Sequence, residues 1–176
     1  MTPESIDART VELVGALSRD VNGVAGELRN RYRLFPDSFY RIAGGGLSPS
    51  STDSFVFQLM LTDTECCRYL CDTTLLDLRA AVDLARRLFT VAPDFDIRLA
   101  RAAVQWVRGD NHRNALRRCL FILDSLVRGT RINFALVQLI SSNDGAVRSK
   151  VFELLVRSSL NEQNIRIWLQ IGRAHV

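Results

Sequence analysis

The sequence predicts an all-α protein in which antiparallel helix pairs stack as an alpha-alpha solenoid. Apolar residues recur at spacings of three and four along most of the 176-residue chain, which is the periodicity of one buried helix face. Capping residues, glycines and prolines interrupt this pattern after about ten to seventeen residues, as expected for helices joined by short connections. Because short connections favour antiparallel hairpins, we expect successive helix pairs to stack along the chain.

The first predicted helix begins after Thr2, an N-capping residue that is followed by Pro3-Glu4 in the first turn. The helix runs to about Arg33, and its apolar face consists of Val14, Leu17, Val21, Val24 and Leu28. Glycines weaken this stretch, so we expect a kink or a break near Asn22-Gly23.

Residues 44–53 are predicted to form a flexible loop, because glycine, serine and proline dominate them. Before this loop, Pro36 ends the first helix and 38–43 form a short amphipathic turn. The sequence therefore predicts an N-terminal helical segment at 1–43, separated by the loop from the rest of the chain.

The segment after the loop admits two interpretations. The alternation of Phe55, Phe57, Leu59 and Leu61 is compatible with a β-strand. Val56 and Met60 fill the opposite face, however, and Thr52 or Asp53 can cap a helix. We therefore expect a helix at this position.

Regular helical signals follow from Asp63 onward. Asp63 or Thr64 can cap a short helix that reaches Cys71, and Asp72 or Thr73 can cap a longer one. The buried face of that longer helix is predicted to contain Leu75, Leu78, Val82, Ala85 and Phe89.

The second half of the chain contains further apolar stripes that are separated by breaking residues. Pro93 ends the preceding helix, and Asp94 or Asp96 starts the next. Gly129 is expected to end a helix as its left-handed C-terminal residue. The successive stripes are Leu99, Ala103 and Trp106; Leu116, Leu120, Leu123 and Val127; 132–140; Val147, Val151, Leu154 and Leu155; and Ile165, Trp168 and Leu169.

The second half also contains a weak internal repeat. A shift of 31 residues pairs Ala115 with Ala146, Arg117 with Arg148, Phe121 with Phe152, Leu123 with Leu154 and Asn133 with Asn164. A clearer signal is the motif Asn143-Asp144-Gly145-Ala146-Val147-Arg148, which an apolar stripe follows. This motif resembles the turn and second-helix start of a HEAT repeat, and 72–170 is similar to bacterial HEAT-repeat (armadillo-like helical repeat) proteins.

The resemblance implies structural roles for three residues of this motif. Asp144 is expected to cap the helix, Val147 to enter the core, and Arg148 to reach the turn carbonyls or an acid of the neighbouring repeat. The preceding repeat departs from the pattern, because Asn114 replaces the acid and Leu116 replaces the valine. The family implies HEAT-like helical repeats over 54–170, with an open face that binds a protein partner.

Residues that carry chemistry in enzymes are present without the neighbours that catalysis needs. His112 lies at a predicted helix start, where an exposed histidine is common. The glycines at 44–46 lack the lysine and helix of a phosphate-binding loop. The carboxylate pairs Asp63/Glu65 and Asp94/Asp96 lie where helix caps are needed. We therefore predict no enzymatic activity, no catalytic residue and no cofactor.

The four cysteines are predicted to be reduced thiols packed in helices. Cys67 and Cys71 share a helix face and are the best candidates for metal ligands. No second pair of cysteines or histidines follows at ligand spacing, so no metal site is expected.

Arginine supplies nearly all of the positive charge, because Lys150 is the only lysine and the formal net charge is +4. The predicted partner-binding face consists of arginines near successive helix starts: Arg98, Arg101, Arg113, Arg117 and Arg148. We expect a protein partner at this face. One alternative is binding to a nucleic-acid backbone, and another is a fragment that positions a missing effector domain.

The N-terminus and the apolar runs bear on localisation. Met1–Arg9 lacks the basic and apolar blocks of a secretory signal, and no run approaches the roughly 20 residues of a membrane span. A cytoplasmic protein is therefore expected.

The last six residues, 171–176, break the helical pattern. Back-translated as ATC GGA AGA GCA CAC GTC, they resemble a sequencing-library adapter read in frame, which we interpret as an artefact. The natural chain is then expected to continue past Gln170. The alternative is a genuine C-terminal tail.

Overall fold

The computed structural model describes residues 2–45, 51–106, 113–126 and 144–157, including only the backbone of 51–53 and 154–157. All regular secondary structure in these ranges is α-helical, which confirms the all-α prediction. The chain divides into two compact units, Met1–Pro93 and Asp94–Val176, which we call the first and second unit. The helices are α1 (Pro3–Ala16), α2 (Val21–Leu34), α3 (Pro36–Gly44), α4 (Ser51–Leu61), α5 (Cys66–Cys71), α6 (Leu78–Val91), α7 (Phe95–Trp106), α8 (Arg113–Leu126) and α9 (Gly145–Arg157).

Two helices replace the single long helix predicted at the N-terminus. Thr2 caps α1 as predicted, with its hydroxyl oxygen 3.4 Å from the amide nitrogen three residues later. The helix ends at Ala16, and Asp20 then caps α2 by accepting a hydrogen bond of 2.9 Å from the amide of Gly23. The break therefore precedes the predicted Asn22-Gly23, because the Asp20 carboxylate satisfies an amide that opens a new helix.

A nine-residue helix, α3, replaces the amphipathic turn that was predicted at 38–43. Pro36 is its first residue, where the missing N–H of proline costs no hydrogen bond. The ends of α3 and α4 occupy both ends of the predicted loop at 44–53. The middle of that loop, 46–50, lies outside the described residues.

The first three helices pack around the hydroxyl group of Thr10, which is fully buried. Thr10 Oγ1 donates to the carbonyl oxygen of Ile6 at 2.9 Å. It accepts hydrogen bonds from Nε of Arg31 at 2.8 Å and from Oγ of Ser38 at 2.9 Å. The donor and both acceptor positions of the hydroxyl are thereby filled, so this polar group is compatible with the core.

A second buried polar contact joins α2 and α3 to the turn before α5. The hydroxyl groups of Tyr32 and Tyr40 lie 3.1 Å apart, and Tyr32 donates to Oδ2 of Asp63 at 3.1 Å. Burial is the main cause that raises the pKa of both phenols, so they stay neutral at physiological pH. Asp63 also caps the turn into α5, because its Oδ1 accepts from the amide of Glu65 at 2.8 Å.

The segment with alternating phenylalanines and leucines is the helix α4, which confirms the prediction over the alternative of a strand. Val56, Phe57 and Met60 of this helix are buried. The four cysteines are also all buried, and none of them forms a disulfide, as the sequence predicted.

The position and the buried face of α6 differ from the prediction. The helix begins at Leu78 under the cap of Asp77, which accepts from an amide at 2.7 Å, whereas Asp72 bonds within the preceding turn. Leu78 is 47% exposed, and only Ala85 of the predicted stripe is buried. Packing of α3, α4 and α5 selects the adjacent face instead, namely Ala81, Leu84, Ala85 and Leu88.

In the second unit, α8 packs against both α7 and α9. Leu99 and Ala103 of α7 are buried as predicted, whereas Trp106 is only partly buried. Because two helices cover α8, its buried sector is wider than one stripe and includes Leu116, Cys119, Leu120, Ile122, Leu123 and Leu126. Val147 and Val151 of α9 are fully buried, which confirms that Val147 enters the core.

Several predictions concern residues outside the described ranges. They include His112, the apolar segment 132–140 and the stripe around Trp168. The interpretation of 171–176 as adapter sequence lies there too.

Candidate functional site

Helix α8 leaves one narrow strip of its surface exposed. Arg113, Arg117 and Phe121 follow one another at intervals of four residues, so they lie along one line of the helix. All three are exposed, and the exposed fraction of Phe121 is 54%. The strip thus combines two guanidinium groups with an aromatic ring at the surface of α8.

The cationic end of the strip contacts the first turn of α9. Oδ1 of Asp144 accepts hydrogen bonds from the amides of Ala146 at 2.9 Å and Val147 at 3.3 Å, which confirms the predicted helix cap. Oδ2 of Asp144 lies 3.0 Å from Nη2 of Arg117 and 3.8 Å from Nε of Arg113. Asp144 is thus both the cap of α9 and the acid that joins α9 to α8.

The electrostatic balance keeps Asp144 charged. Burial of its carboxylate raises the pKa, but hydrogen bonds from the amides of Val147 and Ala146 and from Arg117 outweigh that effect. The net result is a pKa below the ordinary value of an aspartate. The helix cap and the ion pair therefore persist at neutral pH.

Arg148 lies on α9 itself, three residues after Gly145. Arg148 is exposed, and its Nη2 lies 3.6 Å from the position that a Cβ on Gly145 would occupy. Its guanidinium therefore lies back over the first turn of α9. The cation closest to Asp144 from another helix is Arg117 of α8, which belongs to the preceding, degenerate motif.

A second contact between α9 and α8 is made by Lys150, six residues after Asp144. Its Nζ lies 2.9 Å from Oδ2 of Asp124 and 3.1 Å from Oε2 of Glu153. It also lies 5.2 Å from the ring centroid of Phe121, within the range of a cation–π interaction. Partial burial lowers the pKa of Lys150, but the two carboxylates outweigh this effect and raise it.

These contacts define the relative direction of the two helices. Arg117 of α8 pairs with Asp144, and Asp124 of α8 pairs with Lys150. From the first pair to the second, the residue numbers therefore increase in both helices. Helices α8 and α9 therefore run in the same direction, side by side.

A groove of about 340 Å³ lies between these two parallel helices. Apolar side chains of Leu120, Phe121 and Val147 contribute to its lining, and Ser149 adds a hydroxyl group. Charged residues complete its rim, namely Arg117, Lys150 and Glu153. We call this feature the α8–α9 groove.

The predicted arginine face is only partly assembled around the groove. Arg113 and Arg117 meet at Asp144, and Arg148 lies on the first turns of the same helix that Asp144 caps. Arg98 instead pairs with Asp94 at 3.0 Å within α7, and Arg101 is exposed on that helix. Of the predicted arginines, those that contact the start of α9 from another helix therefore belong to α8, namely Arg113 and Arg117.

The residues that form the centre of the groove were not predicted from the sequence as site residues. Phe121 was noted only as a repeat identity, although it falls between the buried positions 120 and 122. Lys150 was noted only as the sole lysine. Arg118 was missed as well: it is 7% exposed, and its position among the buried residues of α8 is the signal that distinguishes it from Arg117.

Within the ranges that the structure describes, no three His, Cys, Asp or Glu side chains converge as a metal site would require. None of the helices in those ranges combines the length and the hydropathy that a membrane-spanning segment needs.

A comparison of the chain with protein-family models, curated proteins and solved structures found no match.

Proposed function

We propose that this chain is a non-catalytic, HEAT-like scaffold that binds a protein partner at the α8–α9 groove. The observation that carries the proposal is the exposed ring of Phe121 beside an apolar groove. Aromatic residues and arginine are enriched in the energetically dominant parts of protein interfaces. A groove of about 340 Å³ has room for one or two large side chains of a partner.

The charged rim supports binding more than catalysis. Arg117 and Lys150 are each engaged with carboxylates, and these ion pairs hold the walls of the groove in place. A pre-formed site loses less conformational entropy when a partner binds than one that must be ordered first.

The direction of the helices supports a repeat architecture. Helices α8 and α9 are parallel neighbours, and equivalent residues such as Arg117 and Arg148 are 31 residues apart in sequence. This arrangement is expected when the same helix of successive helix pairs stacks side by side. In a stack of that kind, one face of the helices stays open for a partner.

Binding to a nucleic-acid backbone is the second candidate, and the basic character of the second unit favours it. Three of the five candidate arginines, however, already pair with carboxylates: Arg98 with Asp94, and Arg113 and Arg117 with Asp144. A phosphate backbone would have to compete with these acids and would make no use of Phe121.

Selection from a random peptide library displayed on phage tests the proposal. The full chain is immobilised, and enriched peptides are measured against Phe121→Ser and Val11→Ser. Val11 has the same exposed fraction, 54%, but lies in the first unit, so it controls for the loss of a surface apolar residue. We expect peptides whose binding is lost with Phe121→Ser and retained with Val11→Ser.

The opposite result is equally informative. If no enriched peptide depends on Phe121, the α8–α9 groove is not a protein-binding site. Salt-dependent binding of duplex DNA or RNA that is insensitive to Phe121→Ser would instead support the second candidate.

A further inference from the structure

The end of the α8–α9 groove where α9 begins carries an excess of positive charge. Arg113 and Arg117 of α8 lie there beside the carboxylate of Asp144, at 3.8 and 3.0 Å. Among the described side chains of this cluster, two guanidinium groups are thus balanced by one carboxylate. The Arg113 side chain is 68% exposed, so a charge on another molecule can reach it.

The other end of the groove carries the opposite excess. Nζ of Lys150 lies 2.9 Å from Oδ2 of Asp124 and 3.1 Å from Oε2 of Glu153, so the described charges there are one cation and two carboxylates. The Glu153 side chain is 46% exposed and lines the groove. The described charges of the whole groove therefore cancel, but their distribution is bipolar.

Phe121 lies close to the midpoint between these two ends. On α8 it follows Arg117 by four residues and precedes Asp124 by three. Because a helical turn takes 3.6 residues, the three side chains share one face of the helix in the order basic, aromatic, acidic. Reversal of the helix direction exchanges the basic and acidic positions and returns Phe121 to nearly the same place.

A surface with this order complements a second copy of itself. A two-fold axis that lies near Phe121, perpendicular to α8, places Arg117 of each copy opposite Asp124 of the other and brings the two aromatic rings to the centre. Two-fold interfaces are the commonest in soluble homo-oligomers, and they require a self-complementary patch of this kind. A partner of uniform charge, acidic or basic, would instead be repelled at one end of the groove.

We infer that the protein partner in the α8–α9 groove is a second copy of this chain, bound about this two-fold axis with its α8 antiparallel to that of the first copy. The inference rests on the proposed function, because it names the partner of the same groove. The pairing buries two Phe121 residues, each of which is 54% exposed in the single chain. One helix face and its groove form a small interface, so the dimer is weak and reversible.

Sedimentation velocity of the full chain tests for the dimer. We expect the sedimentation coefficient of the wild type to rise with protein concentration between about 1 and 500 µM, and that of Phe121→Ser to stay at the monomer value. Val11→Ser is the matched control, because Val11 has the same exposed fraction but lies in the first unit. This variant should associate as the wild type does.

A pair of charge reversals tests the antiparallel arrangement. Arg113→Glu makes the positive end acidic and Glu153→Arg makes the negative end basic, so each homodimer sets like charges against each other at both of its contacts. We expect the dissociation constant of each homodimer to rise about tenfold, because exposed charge contacts contribute modestly and each occurs twice. An equimolar mixture should return to within about twofold of the wild-type affinity, since the heterodimer sets opposite charges together at both contacts.

Two controls accompany the charge reversals. Arg113 and Glu153 are exposed, so we expect both variants to fold, and thermal unfolding of each variant checks this. Arg79→Glu reverses the charge of an exposed arginine in the first unit and controls for the change in net charge. It should leave the affinity of the homodimer unchanged.

The outcomes separate this inference from the proposed function. If the wild type stays monomeric, or if Phe121→Ser associates as the wild type does, the second copy is wrong, while the proposed function stands on any peptides that depend on Phe121. If the mixture associates no more tightly than either charge variant alone, the antiparallel arrangement is wrong and the inference is overturned. If neither association nor any peptide depends on Phe121, both proposals fail.

Discussion

The buried hydroxyl groups of the first unit and the ion pairs beside the α8–α9 groove of the second unit are two different uses of polar side chains. In the first unit, Thr10 and Ser38 are fully buried, and the Thr10 hydroxyl accepts hydrogen bonds from Ser38 and Arg31. In the second unit, the charged groups of α8 and α9 form ion pairs around a surface groove. The first arrangement stabilises a core, whereas the second leaves charge and an aromatic ring accessible to a partner.

The difference shows how burial changes the value of a polar contact. A buried hydroxyl group that loses a partner leaves another polar group without its hydrogen bond, at a cost of about 1–3 kcal/mol. An exposed ion pair exchanges one well-solvated state for another and contributes about 0–1 kcal/mol. Substitution of the buried hydroxyl groups should therefore affect stability, whereas substitution of exposed residues at the α8–α9 groove should affect binding more than stability.

Thr10→Val should have the largest effect on stability. The substitution keeps the shape of the side chain but removes the acceptor for Arg31 and Ser38. We expect the free energy of unfolding to fall by about 2–4 kcal/mol in urea denaturation. Thr90→Val is the control, because Thr90 makes the same bond to the carbonyl four residues earlier but is exposed.

Thr90→Val should change stability by less than about 0.5 kcal/mol. Equal effects of the two substitutions would show that the buried hydroxyl network of the first unit has no special role. The contrast between the units would then disappear.

Acidification should have the next largest effect, through the pair of Asp7 and Arg41. The Arg41 guanidinium donates two hydrogen bonds of 2.8 Å to Asp7 and lowers its pKa below the ordinary 3.8, although burial partly opposes the shift. A lowered pKa stabilises the folded state above pH 3.8, and this contribution disappears as the pH falls through the folded pKa.

We expect Asp7→Asn to remove about 1 kcal/mol of stability at pH 7 and nothing well below the folded pKa, since both side chains are partly exposed. Urea denaturation at a series of pH values measures this difference. Asp83→Asn is the control, because Asp83 forms a longer surface pair with Arg86, at 3.8 Å. A constant difference between wild type and Asp7→Asn at all pH values would contradict the assignment.

Phe121→Ser should have the smallest effect on stability. Nearly half of this residue is buried, so only part of a full burial contribution is lost, and we expect a change of about 1 kcal/mol or less. The same variant is expected to abolish peptide binding. A large loss of stability would place Phe121 in the core of the second unit and would undermine its role as a binding residue.

The sequence by itself determined the features that depend on neighbouring residues in the chain. The all-α class, the cap at Thr2 and the cap at Asp144 were all predicted correctly. Each depends on hydrogen bonds or on a periodicity that is complete within one or two helical turns. The HEAT-like repeat remains a prediction, because the internal similarity is weak and comparison found no match.

Only the tertiary structure decided the extent of the buried face in α6 and α8. In α6, two adjacent apolar faces were available, and packing of three other helices selected the one with Leu84 and Leu88. In α8, the same effect buried Arg118 and exposed its neighbour Arg117, along with Phe121. The physical reason is that burial depends on contacts with helices that are distant in sequence. The spacing of apolar residues shows only which positions of a helix could be buried, and neighbouring helices determine which of them are.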